Sequence, residues 1–227
     1  DAGIVGTSGR IAIKTGSAKS EDEDHPRDSG AFELMTGTAG GLDTQGGNIQ
    51  VGVGLGDSGN GGDINLYAGN TNVKASSGGH VNVQAGEGSN LVRSGGGSGG
   101  TITISGGNGL GGGKPDTGGG VTLYSGQAVN GHGGKIDISS GTSTSTSTGI
   151  IQISTADVKL DTRGRVEGAA SGHITVQTGT STAGNSGSVS IVTGNANHQA
   201  KQEVGSHGGN IEIIAGSSTE NEAKSSQ

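Results

Sequence analysis

A single nine-residue pattern limits what this chain can fold into. It is clearest in Gly61-Gly62-Asp63-Ile64-Asn65-Leu66-Tyr67-Ala68-Gly69, which reads small, Gly, x, apolar, x, apolar, x, small, Gly. Marked by its first apolar residue, the pattern begins at Ile11, Phe32, Ile49, Ile64, Val81, Ile102, Val121, Ile136, Ile151, Ile174, Val189 and Ile211, which makes twelve copies. The second apolar residue follows two places later as Ile13, Leu34, Val51, Leu66, Val83, Ile104, Leu123, Ile138, Ile153, Val176, Ile191 and Ile213. Alternation at period two over a short run bounded by Gly is the signature of a half-buried strand. The spacing therefore predicts strands near 10–15, 31–36, 48–53, 63–68, 80–85, 101–105, 120–125, 135–139, 150–154, 173–178, 188–193 and 210–215.

The glycines hold an even stricter register. Two residues before each marker stands Gly9, Gly30, Gly47, Gly62, Gly79, Gly100, Gly119, Gly134, Gly149, Gly172, Gly187 or Gly209. A second glycine stands five residues after the marker in eleven copies, with Ala156 as the exception. Glycine fixed at both ends of a segment implies either a φ closed to other residues or a contact too close for a Cβ, and marks these positions as structural turn glycines.

Successive markers lie 15 to 23 residues apart. Fixed segments with elastic connectors belong to stacked repeats, because insertions loop out without disturbing the stack. The expected fold class is accordingly all-β, a parallel β-solenoid of about twelve repeats of 15–23 residues without helices, forming a single continuous array over residues 1–227. Two arrangements fit. One repeat per coil gives a perimeter near 50 Å at about 3.3 Å per residue. Two repeats per coil set the apolar pairs of two sheets against each other across a thin core, which explains why each repeat has only one apolar strand.

Composition limits the source of stability. Gly accounts for 52 of 227 residues, Phe32, Tyr67 and Tyr124 are the only aromatics, and Trp and Cys are absent. The twenty-four apolar pattern residues bury too little to offset the ordering of so glycine-rich a backbone. Hydrogen-bond ladders, close glycine packing, stacking of like residues and contact with further chains have to contribute. Gly- and Ser-rich composition also suits a disordered linker, but the strict register argues against that reading. Without cysteine there is neither a disulfide framework nor a thiolate metal site.

The connectors carry the chemistry. Glu21-Asp22-Glu23-Asp24 is the candidate for binding an oxygen-seeking cation such as calcium. A solvated acidic loop is the competing and favoured reading, since four adjacent carboxylates lack the spacing of a loop site. Thr142-Ser143-Thr144-Ser145-Thr146-Ser147-Thr148 is a hydroxyl run suited to O-glycosylation, to hydrogen bonding with a surface, or to service as a polar connector. The alternation in Val158-Lys159-Leu160-Asp161-Thr162-Arg163-Gly164-Arg165-Val166 suggests an extra strand, and the stretch suits a lateral contact and a decorated loop equally. Neither end has a polar capping unit, so Ile4 and Val5 at one end and Ile211 and Ile213 at the other are the expected surfaces for head-to-tail assembly.

The net charge of −7, with no basic patch among aromatics, disfavours nucleic acid as a partner. No apolar run reaches the length of a membrane span. Catalysis has little support. The basic residues are scattered, and His80 and His173 share a repeat position but stand five copies apart, which suits exposed segment-entry residues better than a ligand set. The glycine pairs precede strands instead of helices, unlike a phosphate loop.

The repeat Ser/Gly-Gly-x-Ile/Val-x-Ile/Leu-x-Thr/Ala-Gly resembles the glycine- and serine-rich β-solenoid repeats of extracellular fibres, matrices and adhesins, and the resemblance spans nearly the whole chain. It implies a structural subunit of an extracellular or cell-surface filament, polymerising with itself head to tail and not an enzyme. The alternative it implies is an adhesin stalk or glycan-binding module that meets glycans or other surface proteins. Gly59-Asn60-Gly61-Gly62-Asp63-Ile64 is similar to the calcium-binding nonapeptide repeats of secreted toxins, but Asn48, His80, Thr101 and Lys135 replace Asp63 in other copies. Ice-binding β-solenoids are a third resemblance. Their outward threonines are matched at only three of the twelve positions between the apolar pairs, Thr103, Thr122 and Thr175.

Overall fold

A computed structural model of the chain describes residues 9–18, 28–90, 96–111, 116–159, 170–196 and 207–217. Two units divide it, Asp1–Val121 and Thr122–Gln227. The copies from Ile11 to Ile102 and their junctions lie in the first unit, and the copies from Ile136 to Ile211 lie in the second.

The expected β-solenoid is overturned. Among the described residues there is no strand and no helix; bends and turns punctuate an irregular backbone. Nor is there a core, because no described residue is buried and the expected thin apolar layer between facing sheets does not form. The apolar alternation survives in the sequence without the pairing it was taken to imply. A sheet is made by ladders in which neighbouring segments exchange backbone bonds along their length, and folded domains carry about one internal hydrogen bond per residue. Among the described residues, backbone bonds between successive copies occur only at the junctions, at most one to each.

The apolar pairs are consequently unpartnered, and they are unpartnered in a regular way. From Phe32 to Ile211 the first apolar residue of each copy is about half exposed, as in Ile64 at 51% and Ile136 at 48%. The second is more open, as in Leu66 at 76% and Ile138 at 68%. The chain exposes 23609 Å². A compact protein of this mass exposes about 9,000 Å² and a fully extended one about 32,000 Å², so folding by the single chain removes only a minor part of its surface from water.

Candidate functional site

The order that the chain does have lies in its junctions, where the leading glycine of one copy approaches the end of the copy before it. In every described junction a Cβ placed on the leading glycine would meet either the side chain four residues after the preceding marker or the glycine backbone beside it. The distance to Thr36 from Gly47 is 3.1 Å, to Ala68 from Gly79 3.3 Å, to Ser140 from Gly149 3.2 Å and to Thr193 from Gly209 3.2 Å. Contacts below about 3.4 Å leave no room for a methyl group unless a neighbour moves. No leading glycine has a left-handed φ; among the described residues the one glycine that does is Gly41, in a connector. Close approach, and not an unusual dihedral, is therefore what excludes other residues at Gly47, Gly79, Gly119, Gly134, Gly149 and Gly209. At Gly30, Gly62 and Gly187 the nearest atoms stand at 3.5–3.6 Å, ordinary van der Waals separation, and around Gly9 there is open space.

Six junctions are closed by the same backbone bond, in which the leading glycine N–H donates to the carbonyl of the glycine that ended the preceding copy. These are Gly79 to Gly69 at 2.8 Å, Gly100 to Gly86 at 2.9 Å, Gly119 to Gly107 at 2.8 Å, Gly134 to Gly126 at 2.9 Å, Gly149 to Gly141 at 3.1 Å and Gly209 to Gly194 at 3.4 Å. In the five shorter bonds, the residue beneath the leading glycine is Ala68, Ala85, Gly106, Ser125 or Ser140. In the longest it is Thr193. At the five described junctions without the bond it is Thr15, Thr36, Val53, Thr155 or Thr178. A β-branched side chain carries two heavy atoms on its Cβ, and these hold the incoming backbone away from the trailing glycine. An unbranched side chain lets the leading glycine settle onto that backbone, so that a Cβ on Gly134 would stand 3.1 Å from the Gly126 nitrogen. Thr36 offers a substitute, its Oγ1 donating to the Gly47 carbonyl at 3.0 Å. The sequence pattern marks this position only as small. The split between branched and unbranched residues is the signal within it that sequence reading passed over.

The trailing glycines are a different case. Around Gly16, Gly37, Gly54, Gly69, Gly86, Gly107, Gly126, Gly141, Gly179, Gly194 and Gly216 nothing lies within 4 Å of an added Cβ, and none has a left-handed φ. The chain's own packing gives no reason for glycine at these positions.

The remaining expected sites are not drawn together. Glu21, Asp22, Glu23 and Asp24, and the end residues Ile4 and Val5, lie outside the described residues, as does 160–166 of the suggested extra strand. Among the described residues no group of three or more His, Asp or Glu is placed to hold a metal ion. At the other expected end, Ile211 is 55% exposed, within the range of the internal copies, while Ile213, at 89%, is more open than the second apolar residue of any other copy. In the hydroxyl run, the Ser143 Oγ accepts from the Thr146 N–H at 3.0 Å and lies 3.0 Å from the Thr146 hydroxyl, forming a local turn. Thr142 and residues 144–148 are exposed around it. Lys135 pairs with Asp137 across the exposed first apolar position of its copy, a solvated contact of small consequence. No helix among the described residues is long and apolar enough to cross a membrane.

Compared with protein-family models, curated proteins and solved structures, the chain matches none.

Proposed function

We propose that the chain is a structural subunit of an extracellular filament or surface fibre, built by association of the chain with itself. The observation that carries this reading is the absence of any buried residue among the described ones, in a chain that repeats an apolar pair twelve times. Soluble monomers rarely expose contiguous apolar patches beyond a few hundred Å², whereas every copy here presents its pair to solvent. The Gly- and Ser-rich connectors suit an extended material, as does the resemblance to fibre and matrix repeats. A structural role also accounts for a chain in which no described cluster of titratable groups forms a site. The test is direct imaging: negatively stained electron micrographs of the purified full chain, concentrated from dilute solution, are expected to show filaments of uniform width. Dispersed particles of single-chain size at every concentration would refute it.

The exposed hydroxyl loop at 142–148 favours a second role on the same scaffold, the display of glycans or contact with them in the manner of an adhesin stalk. Mass spectrometry of the protein from its native source, expected to show hexose additions within this loop, tests it.

A further inference from the structure

We infer that the surface through which copies associate is lateral, the row of apolar pairs along each unit, and that its occupant is a second copy of this chain. The inference rests on the filament reading above and specifies its contact.

Area is the first ground. A stable interface buries about 1,600 Å² in total, and the chain exposes more than twice what a compact protein of its mass exposes. Several copies of the pattern laid against another chain supply such an interface with no change in the chain itself. The exposures indicate where that chain would lie. From Phe32 to Ile211 the first apolar residue of each copy is partly covered by its own chain, while the second stays open, with Leu66 at 76%, Val83 at 70% and Ile104 at 77%.

The second ground is the trailing glycine. It recurs in eleven copies, yet a Cβ added to it would meet nothing within 4 Å, and it has no left-handed φ. A residue held to glycine beside open space fits a backbone that arrives from outside, closer than a Cβ allows. Apolar pair and trailing glycine are adjacent in each copy, so one approaching chain covers both.

Identity of the occupant follows from the irregular spacing. Markers are separated by 21, 17, 15, 17, 21, 19, 15, 15, 23, 15 and 22 residues. A copy of the same chain in register presents the same pair and the same glycine at each step, whatever the connector length. The net charge of −7 opposes this pairing over a range set by salt, so association should tighten as salt screens it.

The test uses the full chain, its Leu66→Asp/Val83→Asp/Ile104→Asp variant, and single-cysteine variants, which report cleanly because the chain has no cysteine of its own. In sedimentation velocity the wild-type chain should rise above 21.8 kDa with increasing concentration, and further in high salt. The triple variant should need at least about tenfold more protein to associate. Its amide spectrum at Gly79, Gly100 and Gly119 should stay unchanged, which shows that the single chain is intact. Mild oxidation should link Leu66→Cys chains into dimers and leave Asn65→Cys chains, altered on the other side of the same segment, largely unlinked. If the triple variant associates like wild type, or both cysteine variants link equally, the lateral surface is wrong while the filament reading stands. If the wild-type chain stays monomeric at every concentration and salt, both fall. If the chain stays monomeric and a probe at position 66 is shielded only on phosphatidylcholine vesicles, the occupant is lipid and the inference is overturned.

Discussion

The junctions at Gly134 and Gly187 have connectors of the same length, with eight residues separating Gly126 from Gly134 and Gly179 from Gly187. At Gly134 the leading amide reaches the trailing carbonyl at 2.9 Å; at Gly187, among the described bonds, it does not. The side chain beneath is Ser125 in the first and Thr178 in the second. In the other unit, Gly54 and Gly62 again stand eight residues apart with Val53 beneath, and that junction also lacks the bond. Conversely, Gly86 and Gly100 lie fourteen apart over Ala85 and are joined. Closure therefore follows branching more closely than connector length, and the one branched residue under a closed junction, Thr193, lies beneath the longest bond, 3.4 Å at Gly209. Loop closure entropy grows only slowly with length, whereas a branch at van der Waals contact acts at full strength.

The sharpest way to break this contrast is Gly106→Ala. Gly106 occupies the position beneath Gly119, and an added Cβ would collide with the Gly119 carbonyl. The overpacking should cost about 1–3 kcal/mol and open the Gly119 junction. The Gly119 amide should then take on the steep temperature dependence of a free N–H in NMR spectra, and protease cleavage between 107 and 119 should accelerate.

Converting one class into the other should have a smaller effect. Ala68→Thr places a branch beneath Gly79 and should remove the 2.8 Å bond to Gly69, a loss of about 1 kcal/mol. The expected readout is a free-amide temperature coefficient at Gly79 with Gly134 unaffected. An unchanged Gly79 would show that branching is not the cause.

Thr36→Val sharpens the comparison from the other side. It keeps the branched shape but removes the hydroxyl that donates to the Gly47 carbonyl, so the junction should loosen by about 0.5–1.5 kcal/mol. Faster solvent exchange of the amides at 46–48 checks it, and Thr36→Ser, which removes the branch, should instead let the Gly47 N–H reach the Gly37 carbonyl, seen as a protected Gly47 amide.

The smallest expected effect comes from Ala75→Gly. Ala75 has φ 60 in the turn where the Ser76 N–H donates to the Val73 carbonyl at 3.3 Å. Relief of a left-handed alanine is worth about 1–2 kcal/mol, offset in part by the greater freedom glycine loses on ordering. The turn should become slightly better populated, seen as a lowered temperature coefficient at Ser76, and Gly79 should not respond. A change at Gly79 would mean that the connector governs closure after all.

How much was legible in the residues differs from feature to feature. The register of Gly30, Gly47 and the later leading glycines could be read from the chain alone, because a contact that excludes a Cβ leaves one residue type at a fixed place. The two explanations open for those glycines, an unusual dihedral or a close approach, could not be separated without distances. The solenoid was misread from pairs such as Ile64 with Leu66, because alternation records which side chains share a face and does not say what covers that face. The division between Ala68 and Val53 was present in the letters but carried no visible meaning until the bond at Gly79 and its absence at Gly62 could be set beside each other.

The sequence by itself determined the copies, their glycine punctuation and the scarcity of apolar surface, since each follows from residue identity at a fixed spacing. The tertiary structure decided that, among the described residues, these copies share backbone bonds only at junctions and leave their apolar pairs about half or more exposed. That outcome depends on whether backbone groups at separate points along the chain find partners, and a ladder needs a neighbour along the whole segment, which local preference does not supply.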